Sequence, residues 1–524
     1  MGAKLTGFKK LFSIPLHTFL FAAFPIIFLY AYNIEETNIS MTFKPLLFVL
    51  VGVAVFLFLA KLVFRNWLKA GLFVSLGVLI FFSHGHLHNL IGALKYHVWR
   101  FEFGTDDTLI AIWGILSAVA LFFLLRTKQD LNRFTKFLNF VSLVLVLYLL
   151  FTSLSHEIRR SFVSPPPNES AIQVTGEGIG YKPDIYYIIL DRYDSNRTLE
   201  DDYGFDNSSF TDFLEERGFY VAYDSFSNYP RSYLSLAASL NMAYLEPPLI
   251  GGPDPLILDQ KLAKFLKNQG YRYLHVGSWT TITKSNPLAD VNYVDTSIYF
   301  DMDEFTLRLL ENTVLAPIMR RLSFGPDISD YHTFHRTRAL YQFDRIAEIV
   351  KTQPSPKFVF AHILLPHDPY VFGPNCESED PVGSTTEKYL SNLACTNKLV
   401  SEAVETILAS SSKSSVIVIQ GDEGHYAMKY PFKPLQDYRE ADPRSLQERA
   451  RILNSYYLPG VDAGDILYSS ITPVNSFRVI LSIYFGANLE PLPDRSFIFT
   501  EKGNPYVYDL DGPVEFIDVT DKVR

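Results

Sequence analysis

The sequence predicts an N-terminal α-helical transmembrane bundle of five spans, followed by an α/β domain with a mostly parallel central sheet. Of the 524 residues, 48% are hydrophobic, and these crowd into the first third of the chain. From Lys182 onward, strand-like runs alternate with helical patterns, which is typical of α/β domains. A Pro-rich polar stretch separates the two parts. The expected units are therefore a membrane domain at 1–157, a linker at 158–181 and a soluble domain at 182–524.

Five apolar segments approach the roughly 20 residues that a helix needs to cross a bilayer. They are Leu11–Tyr32, Leu46–Phe64, Ala70–Gly92, Leu109–Leu125 and Phe137–Leu154. Lys and Arg cluster before the first span, between the second and third, and between the fourth and fifth. This bias predicts a cytoplasmic N-terminus, so five crossings put everything after Leu154 outside. The first segment is too long for a cleaved signal peptide and should remain as an anchor.

Two histidines near the predicted outer end of the third span are a candidate binding site. His84 and His88 are four residues apart, so they share one helical face. A metal or a lipid head group could use them. The alternative is a pair of interfacial polar groups at a helix end.

Net charge and cysteine content argue against a nucleic-acid-binding protein and against a disulfide-rich or CxxC metal-binding domain. The formal net charge is -9 and there is no basic tract, which argues against nucleic acid as a partner. The two cysteines, Cys376 and Cys395, are too few for a disulfide scaffold and do not form a CxxC metal motif. A single disulfide between them is plausible if this region is extracytoplasmic.

Three strand-like runs lead into acids or histidines. They are Ile185–Leu190 before Asp191, Lys357–Leu365 before His367, and Ser415–Gln420 before Asp422, Glu423 and His425. Ligands of open α/β sheets sit beyond the carboxyl ends of the strands. Three such ends predict a metal-centred site. Oxygen ligands with one imidazole suit zinc, manganese, magnesium or calcium.

Ser232 is the candidate nucleophile for this site. It follows Pro230 and precedes a helical run, so it should lie near a helix N-terminus, where free N–H groups favour an anion. A serine oxygen activated by a metal could attack phosphorus or sulfur there. The alternative is that Ser232 only caps a buried helix.

The order of these features resembles the sulfatase-like branch of the alkaline phosphatase superfamily. That order is a strand ending on an acid, a Ser or Thr at a helix start roughly 40 positions later, a His-x-Pro-Tyr segment, and a strand leading into Gly-Asp-x-Gly. The chain is most similar to membrane-anchored members, the lipoteichoic acid synthases and lipid A phosphoethanolamine transferases. These also carry five spans and an outward-facing catalytic domain. The motifs cover about Pro183 to Gly424.

The resemblance implies a role for each matching position. Asp191 stands at the first metal-binding acid, Asp422 at the aspartate of an Asp-His-Gly metal motif, and His367 at a substrate-side histidine. Ser232 stands where the transferases have a nucleophilic Thr. The resemblance also implies one or two divalent cations, a covalent enzyme intermediate and a bacterial, inner-membrane location with the catalytic domain in the periplasm or outside the cell.

Two departures from the family pattern qualify these roles. Glu423 replaces the histidine that follows the metal-binding aspartate, and His425 lies two residues further on. Either Glu423 or His425 could supply the ligand, or one ligand is lost. The Cys/Ser-x-Pro-x-Arg motif that sulfatases convert to formylglycine is absent around Ser232, which argues against a standard sulfatase mechanism.

The leading hypothesis is therefore a phosphotransferase with a covalent Ser232 intermediate. It would move a phosphoalcohol group from a lipid-linked donor in the bilayer to an envelope glycan or lipid, with His367 orienting or protonating the outgoing oxygen. One alternative is a hydrolase of phosphate or sulfate esters that uses the same site. Another is a non-catalytic envelope protein that retains the fold.

Overall fold

The computed structural model describes residues 14–34, 39–92, 94–98, 101–161, 172–246, 254–278, 280–295, 304–322, 331–378, 381–410, 415–425, 441–499 and 516–524. In chain order, the helices are α1 (His17–Tyr32), α2 (Ser40–Phe64), α3 (Trp67–Ile91), α4 (Thr105–Arg126), α5 (Asn132–Ser161), α6 (Asn196–Tyr203), α7 (Ser208–Glu216), α8 (Ser232–Asn241), α9 (Asp254–Leu258), α10 (Lys261–Asn268), α11 (Thr281–Lys284), α12 (Glu304–Glu311), α13 (Leu315–Leu322), α14 (Tyr331–Thr352), α15 (Thr385–Ser410), α16 (Pro443–Ala450), α17 (Pro473–Phe485) and α18 (Thr520–Val523). The strands are β1 (Lys95–Val98), β2 (Phe101–Gly104), β3 (Ile185–Leu190), β4 (Tyr220–Val221), β5 (Arg272–Val276), β6 (Val291–Tyr293), β7 (Lys357–Ile363), β8 (Val416–Gly421), β9 (Asn454–Tyr457), β10 (Phe497–Phe499) and β11 (Phe516–Asp518).

Four helices of the described chain, α2 to α5, are long and apolar enough to cross a membrane by length and composition. The first predicted span forms α1, which has 16 residues in the described part. Residues 1–13 lie outside that part, so a fifth span remains a prediction. Apolar helices followed by an α/β domain confirm the predicted architecture at this level.

The chain divides into two compact units, residues 1–158 with 296–331, and residues 159–295 with 332–524. The grouping of 296–331 with the N-terminal unit differs from the predicted uninterrupted domain at 182–524. Packing explains the difference, because Phe305 and Leu309 of α12 are buried in one apolar cluster with residues of α1 to α3.

The connection between α12 and α13 also bonds to α3 through the backbone. Gly85 N donates to Asn312 O at 3.0 Å, and Val314 N donates to Phe81 O at 3.0 Å. A Cβ on Gly85 would lie 2.5 Å from Asn312 Cα. Glycine at this position therefore permits the close approach of the two segments.

The second unit is built on a seven-stranded sheet with the order β4-β9-β8-β3-β7-β5-β6. Strands β3, β5, β6, β7 and β8 are mutually parallel, whereas β9 is antiparallel to β8 and to β4. The prediction of a mostly parallel sheet is confirmed. A disulfide joins Cys376 to Cys395 in this unit, as the sequence had suggested.

Strand β3 lies at the centre of the sheet because all six of its side chains are apolar and buried. Ile185, Tyr187 and Ile189 pack into one core cluster with α8, and the alternate residues pack into a second cluster on the other face. Both faces of the strand are therefore covered by helices. This is the environment of a central parallel strand.

Candidate active site

Strand register places three polar side chains on one face of the sheet. Ile189 of β3 pairs with His362 of β7 and with Gln420 of β8. Asp191 and Asp422 lie two residues beyond Ile189 and Gln420, and side chains two residues apart share a face. This is the face on which α8 packs.

Asp191, His362 and Asp422 form a buried cluster in which one ligand atom from each residue lies within 4.8 Å of the others. His362 Nε2 is 3.4 Å from Asp191 Oδ2 and 3.7 Å from Asp422 Oδ2. Within the described chain, His362 Nε2, Asp191 Oδ1 and Asp422 Oδ2 are buried without a hydrogen-bond partner. Buried polar atoms are normally paired, so this donor set fits a divalent cation. Two carboxylates with one imidazole suit zinc or manganese in particular.

The backbone and a neighbouring hydroxyl orient the ligand atoms. Asp422 Oδ1 accepts hydrogen bonds from Arg192 N at 3.0 Å and Glu423 N at 2.8 Å, which directs Oδ2 toward His362. His362 Nδ1 lies 2.9 Å from Thr283 Oγ1. Metal-binding histidines usually donate their second ring N–H to such a partner, which fixes the ring. Thr283 is therefore a positioning residue.

Opposite charges shift the pKa values of the cluster. Burial would lower the pKa of His362, but the facing carboxylates of Asp191 and Asp422 raise it to about 9. Burial would likewise raise the pKa of Asp191, but the charges of His367 and His362 hold it well below its usual range. The two carboxylates therefore favour the protonated imidazole of His362, and a divalent cation at the same point would compete with that proton.

We expect Thr283→Val to weaken metal binding about 10- to 100-fold, because the ring of His362 loses its orienting hydroxyl. Thr283→Ser keeps the hydroxyl and is the matched control. Competition with a chromophoric chelator measures the affinity, and thermal unfolding checks the fold. Equal affinities for the Val and Ser variants would show that Thr283 does not position the ligand.

The structure assigns Glu423 a different partner from the expected metal. Its side chain lies 2.9 Å from Arg449 Nη2 and 3.5 Å from Arg192 Nε. Burial raises the pKa of Glu423 to about 7 despite the opposing charge of Arg449. The Glu423 carboxylate thus forms ion pairs with two guanidinium groups, and Glu423 is not a member of the three-residue cluster.

His425 also lies outside the cluster, where its ring contacts two tyrosine side chains. Its ring stacks on Tyr389 with centroids 3.9 Å apart, and its Nε2 is 3.3 Å from Tyr370 Oη. The backbone N of His425 donates to Asp194 at 2.8 Å. The third member of the cluster is thus His362, which the sequence did not single out, and a metal-binding role for Glu423 or His425 stays a prediction.

Helix α8 begins at Ser232, as predicted, and Arg231 is its N-cap residue. Arg449 connects this helix start to the cluster. Its guanidinium donates to Pro230 O at 2.8 and 3.2 Å and pairs with Glu423, the neighbour of Asp422. The segment that carries Ser232 is thus tied to the strand end that carries the cluster.

Gly424 permits the close packing behind this connection. A Cβ on Gly424 would lie 2.2 Å from Glu448 O. Gly424 N donates to Arg449 O at 2.8 Å. The glycine of the Gly-Asp-x-Gly motif therefore lets the chain after β8 approach the helix that supplies Arg449.

His367 follows β7 on a half-buried turn. Its Nδ1 contacts the carbonyl oxygen of Asp368 and lies 3.2 Å from the Asp368 carboxylate. The charge of His367 is also among the causes that lower the pKa of Asp191. His367 is not a member of the three-residue cluster.

A sequence model of the family described as Sulfatase matches residues 183–444, which is half of the chain. The chain belongs to the sulfatase family. The matched region contains β3, β7, β8 and α8, and hence all three members of the cluster. The predicted class of sulfatase-like enzyme, a phosphotransferase or a hydrolase of the alkaline phosphatase superfamily, is confirmed at that level.

This sulfatase-family chain is also similar, at low sequence identity, to solved structures. The C-terminal periplasmic domain of EcEptC from Escherichia coli, in complex with Zn, is 13% identical with a TM-score of 0.44, covering 66% of this chain and 95% of that one. The integral membrane lipooligosaccharide phosphoethanolamine transferase EptA from Neisseria meningitidis is 12% identical with a TM-score of 0.38, covering 89% and 94%. No curated protein sequence matches the chain. Because both TM-scores are below 0.5, membership of the family rests on the family match alone.

Proposed function

We propose that this protein is a metal-dependent, membrane-anchored phosphotransferase. It moves a phosphoalcohol group from a lipid donor to a glycan or lipid of the cell envelope through a covalent intermediate on Ser232. The observation that supports this most is the buried cluster of Asp191, His362 and Asp422, which Glu423 and Arg449 link to the segment that carries Ser232. The apolar helices of the first unit suit a donor that stays in the bilayer.

The proposed location follows from the sequence. We propose five spans, with α1 belonging to the first, in the inner membrane of a bacterium. The distribution of Lys and Arg favours a cytoplasmic N-terminus and places the sulfatase-family domain outside the cytoplasm. Donor and acceptor would then meet at the outer face of the membrane.

Asp191, His362 and Asp422 are the residues that would hold the metal ion. When bound, a divalent cation supplies positive charge that favours an ionised hydroxyl and offsets charge on phosphoryl oxygens. The orphaned ligand atoms of the cluster fit that role. Glu423 and Arg449 contribute by positioning, because they connect the strand end after β8 to the start of α8.

The transfer balances in two steps. In the first, Ser232 Oγ loses its proton to solvent and forms a bond to phosphorus, the bond from phosphorus to the lipid oxygen breaks, and His367 gives a proton to that oxygen. In the second, a hydroxyl of the acceptor attacks the same phosphorus and gives its proton to the now neutral His367. The bond from phosphorus to Ser232 Oγ breaks, and the serine oxygen takes up a proton from solvent. Backbone N–H groups in the first turn of α8 would stabilise the negative charge on the phosphoryl group in both steps.

Product analysis with the full-length protein tests this proposal against its alternatives. With a phospholipid carrying a labelled headgroup, we expect label on an added glycan or lipid acceptor, loss of turnover after chelation and recovery with zinc or manganese. Release of free phosphoalcohol regardless of acceptor would identify a hydrolase, which the family description favours. No turnover after reloading with either metal would favour the non-catalytic alternative.

A further inference from the structure

The segment from Pro366 to Phe372 carries His367 and forms neither a helix nor a strand. The regular hydrogen bonds of a helix or a sheet therefore do not fix its backbone. Val371 and Phe372 at its end are nevertheless buried. Buried backbone N–H and C=O groups need hydrogen-bond partners, so another part of the same unit has to supply them.

The side chain of Asn392, in α15, supplies partners at both ends of this segment. Its Oδ1 accepts from Val371 N and from Phe372 N, each at 3.1 Å. Its Nδ2 donates to Pro366 O at 3.3 Å and to His367 O at 3.5 Å. Asn392 is fully buried, so water does not replace these bonds when they are lost. One side-chain amide therefore holds the backbone on both sides of the His367–Tyr370 turn.

The same face of α15 also contacts the segment that follows Asp191. Tyr389 lies three residues before Asn392, and side chains at that spacing are neighbours on a helix. Tyr389 Oη lies 3.0 Å from Arg192 O and 3.1 Å from Asp194 Oδ2. One helix thus bonds both to the segment after the metal-cluster strand β3 and to the segment that carries the proposed acid.

The ring of His367 is anchored to the backbone of its own segment. Its Nδ1 contacts the carbonyl oxygen of Asp368. A carbonyl oxygen only accepts, so Nδ1 is the donor of this bond. The proton that His367 has for an outgoing oxygen is therefore the one on Nε2. Because the ring bonds to its own backbone, the position of Nε2 follows the position of the segment.

We propose that Asn392 is a positioning residue for proton transfer by His367. This inference rests on the proposed function, in which the Nε2–H bond of His367 breaks as the lipid oxygen leaves phosphorus and takes that proton. A general acid has to lie within hydrogen-bond reach of the oxygen that it protonates, and a misplacement of about 1 Å costs about 10²-fold in rate. The amide of Asn392 sets that reach by fixing both ends of the segment.

The dependence of the first step on the leaving group tests this role. The lipid donor is phosphatidylethanolamine or phosphatidylglycerol, whichever the wild-type protein turns over, and its diacylglycerol oxygen needs a proton to leave. The second donor is the p-nitrophenyl ester of the same phosphoalcohol, whose nitrophenolate leaves as a stable anion. Release of each leaving group from the zinc-loaded full-length protein is measured in a single turnover without acceptor.

We expect Asn392→Ala to slow diacylglycerol release about 10²-fold and nitrophenolate release less than about threefold. His367→Gln should show the same selectivity. The double variant should be no slower than His367→Gln alone, because Asn392 acts only through His367. A merely structural role of Asn392 would slow both donors alike and would add to the effect of His367→Gln.

Asn397→Ala is the matched control, because it removes a second asparagine amide from the same helix. Asn397 bonds to Asn207 and Tyr193 rather than to the segment of His367, so any loss should be equal for both donors. Equal slowing of the two donors by His367→Gln would overturn the acid role in the proposed function and this inference with it. Selectivity in His367→Gln without selectivity in Asn392→Ala would overturn this inference alone.

Other contacts should keep the segment folded in Asn392→Ala. Arg336 Nε donates to Val371 O at 2.9 Å, and the disulfide between Cys376 and Cys395 joins the chain just after the segment to α15. Thermal unfolding checks this expectation. Asn392→Ser keeps a shorter polar side chain, so it tests the role if Asn392→Ala does not fold. It should give a smaller loss with the same selectivity, and equal slowing of both donors would overturn the proposal.

Discussion

Replacing Ser232 with alanine is expected to lower turnover about 10⁴-fold or more, on the scale seen when a covalent nucleophile is removed. The physical reason is that no other atom can form the bond to phosphorus in the first step. The fold should be unaffected, because Ser232 is the first residue of α8 and the N-cap position of that helix is held by Arg231. Initial rates with a labelled phospholipid donor measure the effect.

Ser239→Ala is the matched control for this experiment. Ser239 lies on the same helix, and its hydroxyl donates to Leu236 O at 3.2 Å within the core. Mass spectrometry of the wild-type protein, quenched during turnover without acceptor, should find the phosphoalcohol on a peptide containing Ser232. Undiminished turnover in Ser232→Ala would disprove the seryl mechanism.

Asp191→Asn is expected to abolish tight metal binding and to lower turnover about 10³-fold or more. An amide is a much weaker ligand than a carboxylate, and the cluster offers only two other ligand residues. The variant should still fold, because Asp191 Oδ1 makes no hydrogen bond in the described chain and the charge of His362 is also balanced by Asp422.

Metal content and thermal unfolding separate the two effects of Asp191→Asn. For the wild-type protein, metal at 100 times its Kd should stabilise the fold by about 2.7 kcal/mol, and this gain should vanish in the variant. Asp368→Asn removes a nearby exposed carboxylate that pairs with Arg192 at 3.0 Å, and it should keep one full equivalent of metal. A full equivalent in Asp191→Asn would exclude the cluster as the metal site.

The architecture and part of the site follow from local sequence patterns. Ile185–Leu190 is apolar throughout, which marks a central parallel strand, and the carboxyl ends of neighbouring parallel strands meet. The pairing of β3 with β7 and β8 brings Asp191 and Asp422 together for that reason. The start of α8 at Ser232 likewise follows from Pro230, since proline is excluded from a helix interior.

Sequence patterns at the strand ends do not include His362, because it does not follow its strand. It lies inside β7, one residue before the end, where its register with Ile189 turns it toward the cluster. Apart from Lys357 at its start, β7 is apolar and buried except for His362, and that lone imidazole was the available signal. The role of Glu423 was beyond prediction, because its partner Arg449 belongs to a helix that follows 26 residues later in the chain and no local pattern connects them.

Residues 304–322 belong to the N-terminal unit although they lie late in the chain, and this matters for the production of a soluble fragment. A secreted fragment that starts near Lys182 would carry α12 and α13 without the surface on which Phe305 and Leu309 are buried. Those side chains would then face solvent and promote aggregation. Replacing residues 296–331 with a short Gly-Ser linker would give a better-behaved fragment for crystallisation.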